Sequence, residues 1–306
     1  MAILLVPLAL ARADEPPPSA PSPEVSQTIS VLSYNVHGIF PLIAKDSPRE
    51  RMPTIGWLAR GYDVVLFQED FEFHHLLRLQ LEHHTGFTGN GMGWDPRRVA
   101  VKALLLPLSL AIPSFSPPYG AGLSTFVRDD IARPDDAGRK AYGLCHGWFG
   151  ANGDCWARKG FLRVAMDTIG GRVDVYNTHL EAGPSRKSVK VRKAQLEKLA
   201  EAIEKRSGHH AVIVAGDFNI SFNRPGDAVI MRRFRQRLGL EDSAAGPILP
   251  SWRERDYILY RSGPSIALGV EHSGEAMEFV SERRALSDHA ALYAHFQVTP
   301  VPVDAP

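Results

Sequence analysis

Two rhythms of apolar and polar positions run through this chain. Short apolar runs end abruptly on polar residues, and longer stretches between them repeat with the helical period. "TISVLSYNVHG" (28–38), "DVVLFQE" (63–69), "GLSTFV" (122–127), "GFLRVAM" (160–166) and "RVDVYNTHL" (172–180) read as strands. So does 211–218, whose apolar residues Val212 to Ala215 suit a strand buried on both faces. Further strands fall near 255–261, 266–271 and 291–298. Gly170-Gly171 supplies a hairpin turn.

The helical period marks 47–61, with Ser47 as N-cap, Pro48 in the first turn and Gly61 as the stop. It marks 70–86, closed by Gly86, with histidines 74, 75, 83 and 84 on its surface. In 185–208, Leu196, Leu199, Ala200 and Ile203 form one apolar stripe between a Ser185 cap and a Gly208 stop. Another helix covers about 226–238. Residues 87–120 are rich in glycine and proline and read as an irregular excursion. Helices separate strands in the outer thirds and hairpins fill the middle. The pattern fits an α/β (α+β) domain of mixed sheets with helices outside, spanning 28–298, with a tail at 299–306.

Composition narrows the picture. The 306 residues are 44% hydrophobic and 23% charged, with a formal net charge of +1. No global field draws the chain to nucleic acid or anionic membrane. The basic runs 185–193 and 232–237 read as solvated helix faces or as a phosphate-binding patch. An apolar segment from Ile3 precedes Ala11-Arg12-Ala13, so 1–13 reads as an export signal, and 14–27 as a disordered Pro-rich tether. No Lys or Arg precedes the apolar core, which points to a start codon upstream. The expectation is a secreted or periplasmic protein. For an exported chain, Cys145 and Cys155 favour a disulfide over two unrelated thiols.

Chemistry concentrates at the strand ends: Asn35, Glu69, His179, Asp217 with Asn219, and Ser287-Asp288-His289. In a strand, Asp217 and Asn219 would project to the same side; the alternative is an Asx-type turn. Alone, Glu69 or Asp70 could cap a helix and His179 could be structural. Together they converge where α/β folds bind ligands. Carboxylates with amide oxygens are hard ligands suited to Mg²⁺ rather than zinc. No nucleophile elbow, Walker loop or HExxH occurs.

"SYNVHG", "VVLFQED", "YNTHL", "VAGDFN", "RDYIL" and "SDH" resemble, in order, the motifs of the endonuclease/exonuclease/phosphatase superfamily, the deoxyribonuclease-I-like fold. The resemblance runs from about residue 31 to 296. It implies a four-layer sandwich of two mixed β-sheets packed face to face with helices outside. It also implies metal-dependent phosphate-ester hydrolysis. Carried over by motif, Glu69 is the main Mg²⁺ ligand (Mn²⁺ or another divalent cation would also serve), with Asn35 beside it and Asp288 as a second ligand. Asp217 orients or deprotonates water, and Asn219 contacts phosphate or metal. His179 and His289 handle phosphoryl oxygens and protons, and Asp256 buttresses His289.

"QEDFEFHHLL", the cysteine-flanked approach to "ARKGFLRV", and "NTHLEAG" before "VRKAQL" are similar to the neutral and bacterial sphingomyelinase branch. Asp70-Phe71-Glu72 departs from it, because that branch shows a hydrophobic residue, Phe, then Asp. The expected substrate is a phospholipid at a membrane surface, cleaved by a monomer. The alternative is a secreted nuclease on nucleic acid, and a third class is a catalytically dead binding module. Segment 103–115 reads as a membrane-contact loop or a core strand.

Overall fold

The computed structural model describes residues 26–39, 47–89, 121–147, 154–155, 157–244, 255–280 and 285–302. The expected export signal, most of the tether, the end of the tail and segment 103–115 lie outside these residues.

In chain order the elements are β1 (Gln27–Asn35), α1 (Pro48–Ala59), β2 (Val64–Gln68), a 3-10 turn (Phe71–Phe73), α2 (His74–Arg78), β3 (His84–Thr88) and β4 (Leu123–Arg128). Next come β5 (Ala132–Ala141), β6 (Gly160–Thr168), β7 (Gly171–His179), α3 (Arg186–Ser207), β8 (Ala211–Asp217) and α4 (Pro225–Leu238). The last are β9 (Glu241–Asp242), β10 (Asp256–Arg261), β11 (Ile266–Glu275), a second 3-10 turn (Met277–Phe279) and β12 (Leu292–Pro300).

Among the described residues the strands form two six-stranded sheets, ordered β11-β12-β1-β2-β4-β3 and β5-β6-β7-β8-β10-β9. Each sheet is mixed, with one parallel pair at its centre: β1–β2 in the first and β7–β8 in the second.

The layers follow from alternation along the strands. Ile29, Val31, Val64 and Leu66 of the first sheet meet Val173, Val175, Ile213, Ala215 and Ile258 of the second in one buried cluster. Their neighbours face outward. Leu32, Tyr34, Val65 and Phe67 pack under α1 and α2 through Met52, Ile55 and Leu77. Val212, Val214 and Tyr257 pack under α3 and α4 through Leu196, Leu199, Ile203, Met231 and Phe234. Burying each such side chain contributes roughly 1.5–3 kcal/mol. The result is the helix–sheet–sheet–helix sandwich that the motifs imply.

Ser185 caps α3 by accepting from Ser188 N at 3.0 Å, and Gly239 ends α4 in the left-handed region at φ 64°. Ser47 makes no side-chain cap bond.

Three local expectations are corrected. The single helix over 70–86 is a 3-10 turn, a short α2 and the edge strand β3. His84 and Thr85 belong to β3, which pairs antiparallel with β4, so His84 is not a helix-surface residue. The irregular stretch from 87 therefore begins with strand. β5 has no apolar alternation to announce it. It forms because β6 offers an open edge and Arg163 pairs with Asp136 across the two strands. Cys145 and Cys155 form the disulfide.

Candidate active site

The inward-facing rows that build the core each finish on a polar residue at the same end of the sandwich: Asn35 on β1, His179 on β7, and Asp217 on β8, with Asp256 opening β10 at that end. Register aligns them. His179 pairs beside Asp217 across the parallel β7–β8 ladder, and Asp256 pairs beside Asp217 across the antiparallel β8–β10 ladder. Gly216 permits that close approach. Its φ is 140°, and a Cβ there would stand 2.0 Å from Thr178 O.

His179 Nε2 lies 3.3 Å from Asp217 Oδ2 and 3.8 Å from Glu69 Oε1. Asn35 Nδ2 donates to Asp217 Oδ2 at 3.1 Å, and Asn35 Oδ1 accepts from His37 N at 3.0 Å. His289 Nδ1 lies 2.7 Å from Asp256 Oδ2, which leaves Nε2 3.8 Å from Asp217 Oδ2. Ser287 helps to place that ring. Its hydroxyl donates to Asn35 O at 2.7 Å and accepts from His289 N at 3.3 Å.

Charge is arranged as tightly as position. Burial pushes the Asp217 carboxyl up, but the neighbouring His289, and then His179, outweigh it and hold Asp217 well below the usual carboxylate range. Burial pushes the His289 imidazole down. The Asp256 and Asp217 carboxylates and the Asp256 hydrogen bond overcome that and lift it to about 10.

The mouth is built from left-handed backbone that side chains rarely adopt: φ is 48° at His37, 58° at Glu69 and 52° at Asn219. Such residues cost of order 1–3 kcal/mol each and persist only where their surroundings fix them. Here Gly38 N donates to Glu69 O at 2.8 Å. Arg51 of α1, buried, donates to Val36 O, to His37 O at 2.5 Å and to Leu286 O at 2.9 Å.

The donors of Glu69, His179 and Asp217 lie within 4.8 Å of one another, as do those of Asp217, Asp256 and His289. Both ring nitrogens of His179, and Asp256 Oδ1, are buried without a hydrogen-bond partner among the described residues. Buried polar atoms left so are expensive unless a ligand completes them. The oxygens of Glu69, Asp217 and Asn35 are hard donors, so the residues fit a divalent cation of the Mg²⁺ type.

Two expected residues sit differently. Asp288 belongs to neither cluster; half-exposed at the rim, it pairs with His37 Nδ1 at 3.1 Å. β8 stops at Asp217, and Asn219 N donates to Asp217 Oδ1 at 2.9 Å, which is the Asx turn. Asn219 Nδ2 then donates to Leu180 O at 3.0 Å. The turn and the site are one feature, because Asp217 uses one oxygen for each.

Several supporting residues lie outside the set that the sequence assigns to the site. Gln68 Nε2 donates to Asn177 Oδ1 at 2.9 Å, and Asn177 Nδ2 donates to Phe67 O and Ser124 O, bridging the two sheets beneath the site. The i, i+2 spacing from Asn177 to His179 carried that signal. Lys159 pairs with Asp154 at 2.6 Å and donates to Leu180 O at 2.8 Å. Fully buried Arg192 of α3 donates to Glu181 O and Gly183 O at 2.8 Å and pairs with Asp227. Arg224, also paired with Asp227, donates to Asn219 O at 2.8 Å.

Comparison with known proteins agrees with this fold. Residues 32–289 match the family model described as Endonuclease/Exonuclease/phosphatase family. The sphingomyelinase of Mycobacterium tuberculosis is 29% identical over 299 residues, covering 91% of this chain and 54% of that protein. The chain thus spans about half the length of the curated relatives it matches. A mutant of beta toxin from Staphylococcus aureus with bound magnesium ions superposes with a TM-score of 0.61 at 15% identity, covering 88% of this chain and 99% of that one. D. rerio TDP2 complexed with single-strand DNA product gives 0.59 at 16% identity, covering 88% and 98%. At such identities these two likenesses speak for the fold.

Proposed function

The chain belongs to the endonuclease/exonuclease/phosphatase family, and from that premise we propose that it is a secreted, Mg²⁺-dependent phosphodiesterase of sphingomyelinase type. The observation that carries this reading is the convergence of Glu69, His179 and Asp217 donors within 4.8 Å, with Asp256-held His289 beside them.

Glu69, Asp217 and Asn35 would hold the cation. When bound there, it supplies charge neutralisation for the phosphate and stabilises the leaving oxygen. Asp217, kept ionised, orients the attacking water by accepting a hydrogen bond from it. His179, whose ring nitrogens are free of other hydrogen bonds, donates to a phosphoryl oxygen. His289 enters charged, binds the phosphate and can give its Nε2 proton to the departing oxygen. Asp256 fixes its tautomer through Nδ1.

The sphingomyelinase preference is supported by the mycobacterial relative and by the branch-like segments around Lys159 and Gln195. Secretion is supported by the apolar start and by the Cys145–Cys155 disulfide, a bond that persists in oxidising compartments. A nuclease is the second reading, favoured by the fold neighbour that holds a DNA product.

The test is a matched panel with Mg²⁺: sphingomyelin vesicles, plasmid DNA and bis-p-nitrophenyl phosphate. The expected result is preferential sphingomyelin hydrolysis, abolished by EDTA or Glu69→Gln and restored by Mg²⁺ in the wild type alone. DNA cleavage that exceeds lipid cleavage and falls steeply with salt would establish the nuclease instead. No hydrolysis of any ester would leave only a binding module.

A further inference from the structure

The catalytic row faces inward, but the second sheet also has an outer face that α3 covers only in part. Beside α3, over β5 and β6, opens a cleft of about 460 Å³. Its lining includes Lys140, Arg163, Lys205 and Arg206 against a single acid, Asp136. That acid is already spent. Arg163 donates to it and Arg172 Nη1 lies 2.5 Å from it, while Asp174 takes the other arms of the same two arginines at 2.8 Å. Lys140, Lys205 and Arg206 have no acidic partner among the described residues. In a chain of net charge +1 this is a strong local concentration of positive charge.

Gly138 supplies a second, independent observation. It sits in β5 directly across from Arg163. Its φ lies outside the left-handed region, and a Cβ added there would meet nothing closer than Arg163 Nε at 4.0 Å. Neither backbone nor crowding requires glycine here, and glycine weakens a strand interior. What its bareness does provide is an uncovered approach to Arg163 Nε, a donor with no hydrogen bond among the described residues.

We propose that this cleft is an anion site for a phosphate dianion, with Arg163 Nε as the fixed donor at its floor and Lys140, Lys205 and Arg206 closing over the ligand. A compact, multiply charged tetrahedral anion matches several converging cations better than a single carboxylate does. A nucleic-acid strand would need a long basic track rather than one cleft. The dianion can be free phosphate or the phosphomonoester headgroup of a lipid. The site lies on the face of the sheet opposite His179 and Asp217, so it stands or falls independently of the proposed hydrolysis.

The experiment is calorimetric titration of the full chain in EDTA with inorganic phosphate, with co-sedimentation on phosphatidylcholine vesicles carrying or lacking phosphatidic acid. Wild type and His289→Ala should bind a phosphate probe alike. Binding should weaken at least tenfold in Lys140→Glu/Lys205→Glu/Arg206→Glu and in Gly138→Val. The valine variant should melt no lower than wild type, because it adds a strand-forming side chain where there is room. Saturable binding of free phosphate assigns the soluble ligand; binding only to phosphatidic acid vesicles assigns the headgroup. The site is overturned if neither probe binds, if both cleft variants bind as wild type does, or if His289→Ala abolishes the binding.

Discussion

His289 Nδ1 lies 2.7 Å from Asp256 Oδ2 at the bottom of the site, with both side chains nearly buried. A buried imidazole alone would lose its proton readily. This one is raised to about 10 because Asp256 and Asp217 outweigh the burial. The raised value means that the folded protein holds this proton more tightly than the unfolded chain does. The associated stability is full below about 6.5 and is lost as pH climbs toward about 10. In metal-free protein, Asp256→Asn should move the His289 titration, followed by NMR, clearly downward. An unchanged titration would remove Asp256 from that role.

Glu181 runs the other way. Its Oε1 accepts from His146 N at 3.1 Å, while Oε2 is buried without a hydrogen-bond partner among the described residues. Burial first, then the nearby Asp154, lift its carboxyl from 4.5 to about 7. Ionising this raised acid costs stability as pH rises through that window, and the cost is complete above it. Glu181→Gln keeps the acceptor and removes the charge. It should stabilise the fold by about 1–3 kcal/mol at pH 8, with the gain vanishing near pH 4. Urea melts at the two pH values decide this; an equal effect at both would contradict it.

Arg192 joins the chain after His179 to the loop that carries Asn219, through Asp227 and Arg224. Removing one partner of a buried ion pair costs about 3–5 kcal/mol, so Arg192→Met should be markedly unstable. The double change Arg192→Met/Asp227→Leu should recover much of that stability. Its kcat should still stay about tenfold low at near-normal KM, because the carbonyl at 181 loses the Arg192 donor and that at 183 keeps only the 3.3 Å bond from Arg224. Full recovery of kcat would reduce the pair to packing.

Gly216→Ala tests the register of the site. The new Cβ would collide with Thr178 O at 2.0 Å, at a φ of 140°. Separating β7 from β8 there should cost about 3 kcal/mol or more and pull His179 from Asp217. A melting temperature within a degree or two of wild type would show that the ladder tolerates what its geometry forbids.

Much was legible in the residues themselves. Apolar runs closing on Asn35, Glu69, His179 and Asp217 located the strands and the end at which the candidate site gathers, since a strand's alternation is local and survives without its neighbours. α3 was equally readable, because its stripe and its Ser185 cap lie within one segment. β5 was not: a polar strand is made by the open edge beside it, and the pairing of Asp136 with Arg163 is absent until β6 is in place. Helical periodicity in 70–86 gave way to β3 because β4 offered backbone partners worth more than the local preference. The role of Asp288 belongs to the same class. Sequence adjacency sets it next to His289, but the turn of the chain aims one side chain inward at Asp256 and the other outward at His37. Sequence determined which polar residues close the strands; register and left-handed turns, which depend on segments far apart in the chain, decided which of them stand together within reach of one ion.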